Sequence, residues 1–224
     1  MRRVLLAEGV GSFFLFAAVV GSGIMAESLA GGNIAVALLA NSLATGAILF
    51  GLIAMLGPVS GAHFNPAVSL VMALRRDLPW AMLAPYLAAQ IGGGILGVWT
   101  AHLMFELPVL QFSDHARSGP GQWAGEFVAT FGLILTIIGT LRHRPEWTAP
   151  GVALYIVAAY WFTSSTSFAN PAITVARSLS DSFAGIAPVD VPAFVVAQLA
   201  GAVAALAVGA ILFGPRQAAP EPGS

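Results

Sequence analysis

The sequence predicts an all-α membrane protein of six transmembrane helices and two re-entrant half-helices, arranged as an inverted repeat. Three observations carry this prediction: a composition no water-facing surface can have, apolar segments of two distinct lengths, and an order of segments that recurs along the chain. Of 224 residues, 58% are hydrophobic and 8% charged, lysine is absent, and the mean hydropathy is +0.85. A soluble domain carries about 25% charged residues, so most of this surface must face lipid. The net charge of -1 and the lack of a basic run exclude a nucleic-acid partner. The absence of cysteine excludes disulfides and thiolate metal sites.

Crossing the roughly 30 Å of bilayer hydrocarbon takes about 20 helical residues. Six stretches meet that length: near Val4 to Met25, Ile34 to Leu56, Trp80 to Phe105, Trp123 to Leu141, Ala149 to Phe168 and Val191 to Phe213. The first begins with two arginines, as a signal peptide would, but it is long enough to span and its Glu8 has a counterpart later in the chain. It is read as a retained span. Two further segments, 66–74 and 171–179, are apolar and helix-compatible but reach only about 14 Å each at 1.5 Å per residue. Neither crosses alone.

The order is long, long, short, long, and then the same again. Glu8 is followed by Phe13 and Gly21, and Glu126 by Phe131 and Gly139 at the same offsets. Each half closes on Ala-Gln, at Ala89-Gln90 and Ala197-Gln198. Three full spans per half is an odd number, so the second copy lies inverted with respect to the first. The first repeat is residues 1–105 and the second 123–214, joined by a polar extracellular loop over 106–122, with a disordered tail over 215–224. Arginine placement gives an independent reading. With both termini cytoplasmic, Arg2, Arg3, Arg75, Arg76, Arg142, Arg144 and Arg216 lie inside, against Arg117 and Arg177 outside.

Each short segment opens with the same tripeptide, Asn65-Pro66-Ala67 and Asn170-Pro171-Ala172. Asparagine is a preferred helix N-cap, and proline suits the first helical position because its missing N–H would have no intrahelical partner. Two half-helices entering from opposite faces would meet N-terminus to N-terminus at mid-membrane, where their dipoles make an electropositive point lined by donors. Once each Asn oxygen accepts its capping bond, the NH₂ groups face a cavity. They can then donate to a neutral solute while the dipoles repel cations and protons.

At these residues the chain resembles the aquaporin, or major intrinsic protein, family, and the resemblance covers nearly its whole length: six spans, the two Asn-Pro-Ala motifs, the surround "HFNPAV", and Glu8 and Glu126 in the first and fourth spans. The resemblance implies the hourglass fold, a homotetramer with one pore per subunit, passive diffusion, an inner (plasma) membrane location, and no enzymatic activity or cofactor. It also implies a selectivity constriction toward the outside at Thr45, Ala158, Ser167 and Ile173. Water-selective members carry Phe, His, a small residue and Arg there, and glycerol channels keep the Arg. Ile173 in place of arginine removes a cation and up to five fixed donors, so the opening should be wider and less polar. The stretch "NPAITVARSLSDSFAGI" resembles a bacterial subgroup associated with arsenic handling. The expected permeants are therefore trivalent metalloid hydroxides (arsenite, antimonite), with glycerol and water also admitted, and urea and boric acid among the candidates.

Other residues carry two readings each. Arg177 falls one turn beyond Ile173, where it either replaces the lost charge or snorkels to headgroups or pairs with Asp181. Glu8 and Glu126 either accept hydrogen bonds from irregular backbone before each half-helix or act as proton carriers of a secondary transporter. A closed, junction-forming member of the family is a further alternative. His63 lines the inner half of the pore or is a buried structural residue, while His102, His115 and His143 lack ligand spacing, so no metal site is expected. Ser164 to Ser167 lack a general base and read as a turn that satisfies free backbone. Gly92, Gly93, Gly94 and Gly97 read as close helix-packing positions.

Overall fold

The computed structural model describes residues 1–214; the tail reading over 215–224 lies outside the described residues. Among the described residues eight α-helices follow one another: α1 (Arg2–Leu29), α2 (Ile34–Ser60), α3 (Pro66–Leu74), α4 (Trp80–Met104), α5 (Pro120–His143), α6 (Thr148–Phe162), α7 (Pro171–Arg177) and α8 (Val191–Phe213). Among the described residues, α1, α2, α4, α5 and α8 are long and apolar enough to cross a membrane by length and composition alone, α8 together with the 3₁₀ turn Pro188–Asp190 that precedes it.

The fifth span is shorter than the sequence suggests. Helix α6 has 15 residues, preceded by the 3₁₀ turn Pro145–Trp147, and it stops at Phe162 instead of continuing to Phe168. Residues 163–169 leave the helix as an irregular segment in which Thr166, Ser167 and Ala169 have positive φ. The second half-helix also ends early, at Arg177 and not at residue 179. Beyond it the amides of Leu179 and Ser180 bond back to Ala176 and Arg177, an i→i+3 pattern that closes the helix.

The helices pair by repeat: α1 packs on α4, α5 on α8, and α2 meets α6 between the halves. Each half-helix leans on both closing spans, α3 on α4 and α8, α7 on α8 and α4. That cross-packing draws the two short helices to the centre. Close approach of α1 and α4 depends on Gly93, where an added Cβ would strike the backbone of Gly9. Gly92 differs from the reading above: it is exposed with open space beside it, so it is not a packing position. Gly93→Val is therefore expected to cost roughly 1–3 kcal/mol or more through overpacking against backbone, whereas Gly92→Ala should be neutral. Yield of monodisperse protein in detergent and its thermal midpoint compare the two, and equal behaviour would count against this packing.

Candidate functional site

The half-helices start as their sequence requires. Asn65 and Asn170 are extended, at φ -156° and -157°, and each side-chain oxygen caps its helix: Asn65 Oδ1 accepts from Ala67 N at 2.9 Å, and Asn170 Oδ1 from Ala172 N at 3.0 Å and Ile173 N at 3.3 Å. Pro66 and Pro171 occupy the first helical positions. The amide ends cross over. Asn65 Nδ2 donates to Ala169 O at 2.7 Å and Asn170 Nδ2 to Phe64 O at 2.8 Å. One hydrogen of each NH₂ is thus spent tying one half to the other, where the sequence reading left both to the cavity. The second remains for a solute, and both asparagines line the cavity.

The strained backbone before each half-helix is held by a buried carboxylate. Glu8 Oε1 accepts from Ser60 Oγ at 2.6 Å and His63 N at 3.0 Å, and its Oε2 accepts from Phe64 N and Gln90 Nε2, both at 2.8 Å. In the second half, Glu126 Oε1 accepts from Phe168 N at 2.8 Å, and Oε2 from Ala169 N at 2.9 Å and Gln198 Nε2 at 2.5 Å. Counted from the asparagines, His63 and Phe64 correspond to Phe168 and Ala169. Gln90 also donates to Ser69 and Gln198 to Thr174, each four residues after its asparagine. The same bonding scheme thus occurs twice. Ala62, Phe64, Thr166, Ser167 and Ala169 sit at φ between 46° and 61°, conformations that non-glycine residues hold only when their surroundings fix them. Irregular backbone at membrane depth needs such partners, and here the two glutamates supply them.

A cavity of ≈ 910 Å³ runs past the two asparagines. One end is lined by Arg142, Phe213 and Gly214, and Arg177 sits among the residues of the other, beside the 106–119 loop. His63 lines it, with Nδ1 3.0 Å from Ser69 Oγ and its ring 5.2 Å from that of Tyr86. Thr45, Ser167 and Ile173 lie on its wall. Ala158 does not; it is exposed on the outer face of α6, and Tyr160 occupies the wall, its hydroxyl 3.2 Å from Thr45 Oγ1. Two residues along a helix turn the side chain by about 200°, so the expected and observed positions lie on opposite faces. Ser167 Oγ is buried and has no hydrogen-bond partner within the protein.

Arg177 is 2% exposed, so it does not snorkel, and it donates to Ala184 O, not to Asp181, which accepts from Asp114 N. Arg117 was read from the sequence only as a loop charge. The structure buries it beside Arg177, and nothing in the local pattern "SDHARSG" announces that.

A family model described as major intrinsic protein matches residues 1–163. The chain belongs to the major intrinsic protein family. It is similar to aquaglyceroporin AqpS of Rhizobium meliloti (strain 1021), with 53% identity over 99% of this chain and 97% of that one. It is also similar to nodulin-26 of Glycine max, with 29% identity over 89% of this chain and 74% of that protein. The X-ray structure of the aquaglyceroporin from Plasmodium falciparum superposes with a TM-score of 0.72, covering 96% of this chain and 97% of that one at 20% identity, a likeness of fold. This major intrinsic protein is accordingly an integral membrane channel for small solutes and not an enzyme.

Proposed function

We propose that this channel passes small uncharged hydroxylated solutes by passive diffusion, with trivalent metalloid hydroxides such as arsenite and antimonite as its natural permeants, and glycerol and water on the same path. The observation that carries the reading is Ile173 on the cavity wall, next to the asparagine pair, where a guanidinium would narrow the passage and hold water in a fixed pattern. Thr45 and Tyr160 add hydroxyls to a wall that also carries Leu49, Ile156 and Ile173, which suits a small molecule that is apolar on one side and hydroxylated on the other. The 53% identical relative, named an aquaglyceroporin, supports a solute wider than water. We further propose a homotetramer in the plasma membrane with both termini cytoplasmic and the 106–119 loop outside, as the arginine distribution favours.

Stopped-flow permeability of proteoliposomes to water, glycerol and arsenite, measured side by side, tests the reading. Glycerol and arsenite fluxes well above those of empty vesicles are expected, with no accumulation against a proton or sodium gradient. Vesicles that pass water alone would overturn the solute class. Uphill flux driven by pH would instead favour a transporter, for which Glu8 and Glu126 offer no open site, since their oxygens are already committed to donors.

A further inference from the structure

Two arginines from distant parts of the chain converge at the loop-side mouth. Arg177 ends α7; its Nε donates to Ala184 O, and its guanidinium carbon lies 3.3 Å from the centroid of the Phe168 ring. Arg117 comes from the 106–119 loop and is 8% exposed. Its Nε donates to Gly185 O at 2.7 Å, one terminal nitrogen to Phe183 O at 3.3 Å and the other to Ser165 O at 3.5 Å, with its guanidinium carbon 5.0 Å from the same Phe168 ring. Between them the pair takes up three consecutive carbonyls, 183 to 185. The loop itself is tied down by Arg117 N to Asp190 Oδ2 at 2.8 Å and Ser113 N to Ser178 O at 3.0 Å.

These two charges lack the usual compensation. Among the described residues no carboxylate forms an ion pair with either guanidinium. Glu126 lies within electrostatic reach of both but is bound to Phe168 N, Ala169 N and Gln198. Asp190 accepts the backbone amide of Arg117, and Asp181 that of Asp114. On the cavity wall, Arg177 is the charged residue at this mouth; Arg75, Arg76, Asp77 and Arg142 belong to the other end. The positive field extends into the loop, where partial burial together with Arg117 and Arg177 holds the His115 imidazole below its ordinary range, against the opposing pull of Asp181 and Glu27. Burying a charge without a partner is costly, so carbonyl cradling that preserves it calls for a purpose.

We propose that Arg177, seated by Arg117, is the cation barrier of this channel, displaced one helical turn from the wall position held by Ile173. Size selection and charge selection are thereby separated. The uncharged, wider position sets which neutral solute passes, and the arginine beyond it rejects protons and small monovalent cations. Arg117 acts as a positioning residue, through the carbonyls it shares with Arg177 and through the ring both contact. The inference rests on the reading of the chain as a channel for uncharged solutes.

The test measures glycerol flux by light scattering, and methylammonium and proton flux by an entrapped pH dye, in the same proteoliposomes. The cation-to-glycerol flux ratio does not depend on how much protein is folded. Arg177→Gln is expected to raise that ratio at least about tenfold, the size expected for losing a modest electrostatic barrier, with Arg177→Lys close to wild type. Arg117→Gln should raise it by a smaller factor. Ser167→Asp keeps both arginines and all their carbonyl bonds, and aspartate tolerates the φ of 51° at that position. It sets a carboxylate on the wall beside the Phe168 platform and should raise the ratio as well. An unchanged ratio in both Arg177→Gln and Ser167→Asp overturns the proposal and returns cation exclusion to the asparagine pair. If Arg177→Gln conducts no glycerol, Ser167→Asp decides alone by the same criterion. Wild-type vesicles that fail to pass glycerol would count against the channel reading and not against the barrier.

Discussion

Glu8→Leu is expected to abolish recoverable folded channel. Four donors converge on that fully buried carboxylate: the Ser60 hydroxyl, the amides of His63 and Phe64, and Gln90 Nε2. Leucine fits the space but accepts nothing. Each buried donor left unsatisfied costs about 1–3 kcal/mol, so the loss approaches or exceeds the roughly 5–15 kcal/mol by which folded proteins are stable. The cost is concentrated in the segment that sets the conformations of Ala62 and Phe64, both at positive φ, and therefore the placement of Asn65. Glu8→Gln retains one acceptor oxygen and turns the other position into a donor facing Phe64 N and Gln90, so about half the penalty remains. The expected order in yield and thermal midpoint is wild type, then Glu8→Gln, then Glu8→Leu far below. A Glu8→Leu protein that is monodisperse and passes glycerol at the wild-type rate would contradict this account of how the half-helices are held.

What the sequence made legible is what local chemistry specifies. Asn-Pro marks a helix start by capping and by a ring that needs no N–H, and α3 begins and ends where that reading puts it. The paired glutamates were legible because a carboxylate within an apolar span has few explanations, and the irregular backbone before each Asn-Pro, 42 to 56 residues further along the chain, offers amides in need of acceptors. Positions that depend on three-dimensional phase were not. Assigning α6 to the cavity wall meant counting back from Asn170 through residues 163–169, a stretch with no helical period. A two-residue error there moved the assignment from Tyr160 to Ala158, across the helix. The end of α7 was missed because Leu179 is apolar and continues the pattern, while the chain turns on i→i+3 bonds. Arg117 lies 60 residues before Arg177, the difference of their numbers, and only folding shows that one backbone strand of carbonyls serves both.

Ile173→Arg is expected to cut glycerol and arsenite flux at least about tenfold, equivalent to about 1.4 kcal/mol added to the barrier, while water flux falls by a clearly smaller factor. The argument is steric first. Ile173 is buried to 5% exposure on the cavity wall, and its amide is fixed by Asn170 Oδ1, so a longer side chain has no room to retreat into the protein. It must extend into the passage, whose wall also carries Thr45 and Tyr160. Water, with one oxygen and two protons, can replace its lost neighbours with the fixed N–H donors of the new guanidinium. A three-carbon polyol or a metalloid hydroxide has a cross-section that the narrowed opening no longer clears. The charge argument then adds a coupled outcome. In an Arg177→Gln background, Ile173→Arg should restore cation exclusion, because it returns a positive charge to the wall one turn nearer the asparagines. In the wild-type background it adds a second like charge four residues from Arg177, which is expected to lower stability as well as solute flux. Stopped-flow light scattering on the single and double variants measures both effects, and equal reductions in water and glycerol flux would remove residue 173 from the solute-selecting wall.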